Sequence, residues 1–138
     1  MEGFEAFEKA LAEFGEKMNY PLALEDGELT FTVDGSVNVN IRCLEDSRYL
    51  VLWASVGELP DDELAGERAA ALLEMNDLGL GTRGFTLGMR DGERRLVIHD
   101  RRPVSDLESA DAIAAWTGDL VETTEMIRER LAADFPAD

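Results

Sequence analysis

The spacing of apolar residues changes period along this chain, and that change restricts the fold more than any other feature of the sequence. Near the N-terminus apolar residues recur at steps of three and four, the spacing of one helix face. They are Phe4, Phe7, Leu11, Phe14 and Met18. Pro21 disfavours a helical residue before it, so this predicted helix ends near Tyr20.

From Leu29 the period becomes two, which indicates strands. Apolar and polar residues alternate over residues 29–34 and again over 37–43, and Asp34–Gly35 between them is a hairpin signal. The third predicted strand, residues 49–54, is apolar on both faces. Two explanations stay open: a central strand with both faces covered, or a strand with a binding patch on one face.

The second half of the chain predicts a helix, a hairpin and a final helix. Pro60 and the acids after it suit a helix start, and the segment that follows is rich in alanine. Asp91–Gly92 is a second hairpin signal, and Ser105–Glu108 matches a capping box before a long closing helix. The predicted order is α-β-β-β-α-β-β-α. We expect one α+β domain over residues 1–138, with a twisted antiparallel sheet packed against helices.

The charge of the chain excludes several classes of partner. Thirty acidic residues stand against 13 basic ones, which gives a formal net charge of -17. Such a surface repels nucleic acid and anionic membranes, so we expect neither as a partner. The charge serves either general solubility or the solubility of a bound client. No signal peptide and no membrane-spanning apolar stretch is recognisable, so a cytoplasmic location is the default expectation.

Residues for catalysis or metal binding are scarce. The chain has one histidine, His99, and one cysteine, Cys43, whereas metal sites and assisted nucleophiles need several such groups. Gly79–Gly84 matches a dinucleotide-binding pattern, but it is predicted to follow a helix and precede a strand, the reverse of the phosphate-binding arrangement. The sequence therefore predicts no catalytic residues, no metal, no cofactor and no enzymatic activity.

Several segments together resemble a known family. They are the amphipathic opening helix, the run Leu72-Leu73-Glu74-Met75-Asn76 at the end of the middle helix, and the Asp91–Gly92 hairpin with its strand and long closing helix. With the small size and the acidity, this pattern is similar to that of type III secretion chaperones, the Tir chaperone (CesT-like) family. The fold resemblance extends to regulatory or stress-related domains like YbjN, which are not tied to secretion. A small enzyme is the third class considered, and no credible set of catalytic residues supports it.

The chaperone resemblance implies a homodimer that binds the non-globular secretion segment of a client effector in extended form. It also implies that the middle helix contributes to the dimer interface. The residues expected there are Leu64, Ala65, Ala69, Leu72 and Leu73.

The third strand supplies the expected client-binding residues. Period-two alternation puts Tyr49, Val51 and Trp53 on one face and Leu50 and Leu52 on the other. Tyrosine and tryptophan are enriched at interface hot spots, so we expect the first face to contact the client. In the alternative assignment, that face is the core side and the two leucines point outward.

Overall fold

A computed structural model describes residues 3–44, 46–90 and 92–134. Three α-helices and five strands follow one another in the predicted order, which confirms the α+β prediction. The elements are α1 Glu5–Lys17, β1 Glu28–Val33, β2 Val37–Leu44, β3 Tyr49–Glu58, α2 Ala65–Asn76, β4 Thr86–Met89, β5 Arg95–Pro103 and α3 Ala110–Asp134. Two short 3-10 turns, Asp77–Gly79 and Val104–Leu107, precede β4 and α3 respectively.

The five strands form one antiparallel sheet in the order β1-β2-β3-β5-β4. β3 is the central strand, and β1 and β4 are the two edges. Asp34 and Gly35 adopt positive φ angles of 53° and 69° between β1 and β2, as the hairpin signal requires. Gly92 of the second hairpin has a φ of 73°, whereas Asp91 lies outside the described residues.

The helices cover one face of the sheet. α3 contacts β2, β3 and β5, and α1 packs against α3. The apolar positions of α1 face this layer, with Phe4, Phe7 and Leu11 at most 1% exposed. Burial of such side chains contributes about 1.5–3 kcal/mol each to folding, so this layer holds the core.

The second helix starts later than the sequence indicates, at Ala65 rather than near Pro60. Asp62 organises the turn before it, because its Oδ1 accepts a hydrogen bond from the Leu64 backbone N–H at 2.9 Å. Its Oδ2 accepts one from Arg68 Nη1 at 2.6 Å. The hydrogen bond from Arg68 holds the pKa of the Asp62 carboxyl below its usual value.

The predicted capping box at Ser105–Glu108 is wrong. Val104 and Leu107 are buried, and this apolar pair holds the segment as a 3-10 turn. Ser109 caps α3 instead, because its Oγ accepts a hydrogen bond from the Ala112 backbone N–H at 3.1 Å.

The glycine-rich run after α2 is a turn between a helix and a strand. A Cβ at Gly81 would lie 2.5 Å from the Met75 carbonyl oxygen, so only glycine fits there. The Gly81 N–H also donates to that carbonyl at 3.0 Å. The glycines therefore let the chain approach the end of α2 closely, and the run does not open a helix.

Candidate functional site

The sheet has a second face that points away from the helices, and we call it the open face. Residues paired directly across antiparallel strands share a face, so the strand register defines its members. They are Glu28, Thr30 and Thr32 of β1; Asn38, Asn40, Arg42 and Leu44 of β2; Tyr49, Val51, Trp53, Ser55 and, beyond the bulge, Glu58 of β3; Thr86 and Gly88 of β4; and Arg95, Val97, His99, Arg101 and Pro103 of β5.

The three residues expected to bind a client lie together at the centre of the open face. Tyr49, Val51 and Trp53 are half-buried, whereas Leu50 and Leu52 on the other side of β3 are 0% exposed. The core side of β3 is therefore the leucine side. The apolar row of Tyr49, Val51 and Trp53 is left accessible, and whether it contacts a client stays a prediction.

Two arginines lie on the aromatic rings of this row. The Cζ of Arg101 is 4.6 Å from the centroid of the Tyr49 ring. The Cζ of Arg90, which follows β4, is 5.0 Å from the centroid of the Trp53 ring. Both distances are within the range of cation–π attraction, which fixes a guanidinium over a ring face.

The part of the open face towards β1 is polar. Thr30 Oγ1 donates to Asn40 Oδ1 at 2.8 Å, and Asn40 Nδ2 donates to the Trp53 carbonyl oxygen at 3.2 Å. Glu28 and Arg42 form an ion pair at 3.4 Å. Both partners are largely exposed, so the pair contributes about 0–1 kcal/mol and is easily exchanged for another partner.

The five residues expected at a dimer interface are divided between two environments. Leu72 is buried and Ala69 is partly buried against the sheet, where both line an apolar cleft of about 200 Å³ beside β4. Leu64 and Leu73 are 48% and 71% exposed, and Ala65 is half-buried. Leu72 is therefore already used within the chain, and the exposed leucines are the side chains free to meet a second surface.

Further exposed apolar residues surround this helix. Leu78 and Leu80, in the turn that follows α2, are 87% and 80% exposed. Met89 at the end of β4 is 52% exposed. Because β4 is an edge strand, apolar side chains and unpaired backbone groups lie next to each other on this side of the molecule. Such a combination is typical of a contact surface.

The residues with reactive side chains are placed apart. His99 lies opposite Trp53 in the middle of β5. Cys43 is buried in β2, on the core side. Over the described ranges, no three His, Cys, Asp or Glu residues are grouped as a metal site would require. None of the described helices is long and apolar enough to cross a membrane.

The sequence prediction missed the arginines of the open face. Arg101 shares a face with Val97 and His99 by alternation in β5, which the sequence could have indicated. The position of Arg90 over Trp53 depends on the β4–β5 hairpin lying beside β3. No local pattern shows that placement.

Comparison with solved structures gives the same fold in other proteins. A chain of the HopA1–SchA chaperone–effector complex is 19% identical and aligns with a TM-score of 0.74, covering 90% of this chain and 94% of that one. A chain of the ExsC–ExsE complex is 16% identical with a TM-score of 0.72, covering 94% and 96%. At these identities the likeness concerns the fold.

The fold also resembles that of YbjN, described as a putative transcription regulator from E. coli. That chain is 16% identical with a TM-score of 0.63, and the alignment covers 91% of each chain. No curated protein matches the sequence.

A family model settles the relationship at the level of sequence. The model of the Tir chaperone protein (CesT) family matches residues 9–128, which span most of α1, the whole sheet, α2 and most of α3. This confirms the resemblance drawn from the opening helix, the Leu72–Asn76 run and the closing helix. The chain belongs to the Tir chaperone protein (CesT) family.

Proposed function

We propose that this protein is a type III secretion chaperone that binds the non-globular secretion segment of a client effector. The observation that carries the proposal is the half-buried apolar row of Tyr49, Val51 and Trp53, left open at the centre of the sheet of a CesT family member. A chain of similar fold occurs in the HopA1–SchA chaperone–effector complex, which supports the same function here.

The client would bind in extended form, with apolar side chains seated against the open face. A client strand could also pair with the free edge of β1, which is hydrogen-bonded to β2 alone among the described strands. The net charge of -17 would keep the complex soluble while the client is unfolded. Each role uses binding only, so we propose no catalysis, no cofactor and a cytoplasmic location.

Peptides tiled over the proteins encoded beside this gene would test the function. We expect a contiguous run of peptides from one protein to bind, and the chaperone to protect the same segment from protease. Binding to none of these peptides would contradict the proposal. Binding to a folded partner alone would favour the alternative, a YbjN-like regulatory or stress-related domain, for which the similarity to YbjN is the supporting observation.

We also propose that the protein is a homodimer joined through α2 and the β4 edge. Leu73 of α2 and Met89 of β4 are exposed and line the same cleft, and Leu64, directly before α2, is exposed as well. Ala65 and Ala69 have small side chains that permit close approach of a second copy. Two such surfaces can cover each other around a two-fold axis, which removes the exposed leucines from water.

Light scattering is expected to give about twice the chain mass of 15.3 kDa. Leu73→Asp should shift the protein to monomer, because the interface would have to bury an unpaired carboxylate. Met18→Asp is the matched control: Met18 is also exposed but lies at the end of α1, so the dimer should persist. A wild-type protein that stays monomeric at high micromolar concentration would rule out the dimer.

A further inference from the structure

The open face carries a charge opposite to that of the whole chain. Its strand residues include two carboxylates, Glu28 and Glu58, and three guanidinium groups, Arg42, Arg95 and Arg101. Arg90 adds a fourth guanidinium over Trp53. In a chain with 30 acidic and 13 basic residues, a surface with this balance among its described residues is a marked departure from the average.

The two arginines on the aromatic rings have no carboxylate partner among the described residues. Arginines on other surfaces do: Arg83 pairs with Glu122 at 3.2 Å, and Arg102 pairs with Asp100 at 3.0 Å. Carboxylates are abundant in this chain, yet Arg90 and Arg101 contact Trp53 and Tyr49 instead. Among the described residues, therefore, no carboxylate uses the ion-pairing capacity of these two arginines.

A guanidinium held over a ring by cation–π attraction still has N–H groups that can donate hydrogen bonds to a ligand. Those groups match the two oxygens of a carboxylate, and the pairing is usually bidentate. The ring also holds the side chain in place, so less rotamer entropy is lost when the carboxylate binds. Tyr49 and Trp53 therefore supply an apolar surface, and the arginines held over their rings supply prepared anion-binding groups.

We propose that the open face selects a client segment in which Asp or Glu residues flank an apolar anchor. The anchor packs on Val51 and Trp53, and the carboxylates pair with Arg101 and Arg90. Arg42 lies on the other side of Val51 in the same cross-strand row, about 10 Å from Arg101 at two strand spacings. It exchanges its exposed partner Glu28 for a client carboxylate.

This preference for acidic segments is opposite to the one expected from the net charge of the protein. A chain of charge -17 attracts basic peptides when only its net charge matters. At physiological salt the Debye length is about 8 Å, so distant carboxylates are largely screened. The guanidinium groups in direct contact then decide the preference. The inference rests on the proposed chaperone function, because it names the chemistry of the client that the same face binds.

Three synthetic peptides with identical apolar residues and with Glu, Gln or Lys at the intervening positions provide the test. We expect the Glu peptide to bind at least about tenfold more tightly than the Gln peptide, and the Lys peptide to bind most weakly. Raising the salt from about 0.15 M to about 1 M should reduce this preference, because the Debye length falls to about 3 Å.

Substitutions test which residues cause the preference for the Glu peptide. Arg90→Gln with Arg101→Gln should reduce the preference for Glu to the smaller part that Arg42 supplies. Arg101→Lys alone should lose less of it, because the charge remains while the planar fork is lost. Lys17→Gln with Arg83→Gln is the control with the same change in net charge. Both residues are ion-paired on the helix layer, with Asp111 and Glu122, so this variant should bind like the wild type.

Equal binding of the Glu and Lys peptides would overturn the inference. So would no measurable binding of the Glu peptide, or a preference for Glu that is undiminished by loss of Arg90 and Arg101 in a variant that unfolds cooperatively. A client segment found by tiling that lacks flanking acids would leave the chaperone function intact and refute this inference alone. If no tiled peptide binds but the synthetic Glu peptide is clearly preferred, the chaperone function is refuted, and the proposal of an acidic ligand stands.

Discussion

Trp116→Ala is expected to lower the free energy of unfolding by about 3–5 kcal/mol. Trp116 of α3 is 1% exposed, and its Nε1 donates a hydrogen bond to Asp100 Oδ2 at 2.8 Å. Arg102 donates to the same oxygen at 3.0 Å and lies over the indole ring at 5.3 Å. Removing the ring leaves a cavity between α3 and β5 and takes one donor from Asp100.

Urea unfolding followed by circular dichroism measures this loss, with wild type and variant compared at the same protein concentration because dimerisation adds to apparent stability. Trp116→Phe is the second variant, since small domains have a total stability of about 5–15 kcal/mol and the alanine variant can fall below the folding threshold. We expect the phenylalanine variant to lose about 1–3 kcal/mol, largely through the missing hydrogen bond. A loss below about 1 kcal/mol for Trp116→Ala would contradict the assignment of this residue to the core.

Period-two and helical spacing were enough to predict the element order, because these periods follow from backbone geometry alone. Alternation in β3 also identified which residues share a face. It did not identify the core side, because that depends on where α1 and α3 pack, and the helices are distant in sequence. In the sequence, Leu50 and Leu52 look no more apolar than Val51, yet both leucines are 0% exposed.

Helix starts were predicted less well, because a local capping pattern does not show which side chains the fold buries. The segment with Ser105 forms a 3-10 turn in which Leu107 is buried, and Ser109 caps α3. The anion-binding groups of the open face were missed for a different reason. Arg90 reaches Trp53 across the β4–β5 hairpin, and a contact of that kind depends on the strand order of the sheet.

The client surface is tested most directly at Trp53, the other tryptophan of the chain. Trp53→Ala is expected to weaken binding of the client segment about 30-fold, or about 2 kcal/mol, because large aromatic residues at the centre of an interface supply most of its binding energy. The fold should remain nearly intact, with a loss of about 1 kcal/mol from the cross-strand contacts to Asn40 and His99.

Binding of the tiled client segment by titration calorimetry, together with urea unfolding of each variant, separates these effects. Trp53→Phe should recover part of the affinity, because it keeps an aromatic surface under Arg90. Met126→Ala removes an exposed apolar side chain from α3, on the other side of the sheet, and should leave affinity unchanged. The two tryptophans then give opposite results: Trp116→Ala loses stability, and its folded fraction binds normally, whereas Trp53→Ala loses affinity. A large loss of stability in Trp53→Ala, with unchanged binding per folded molecule, would show that the open face belongs to the core rather than to the client.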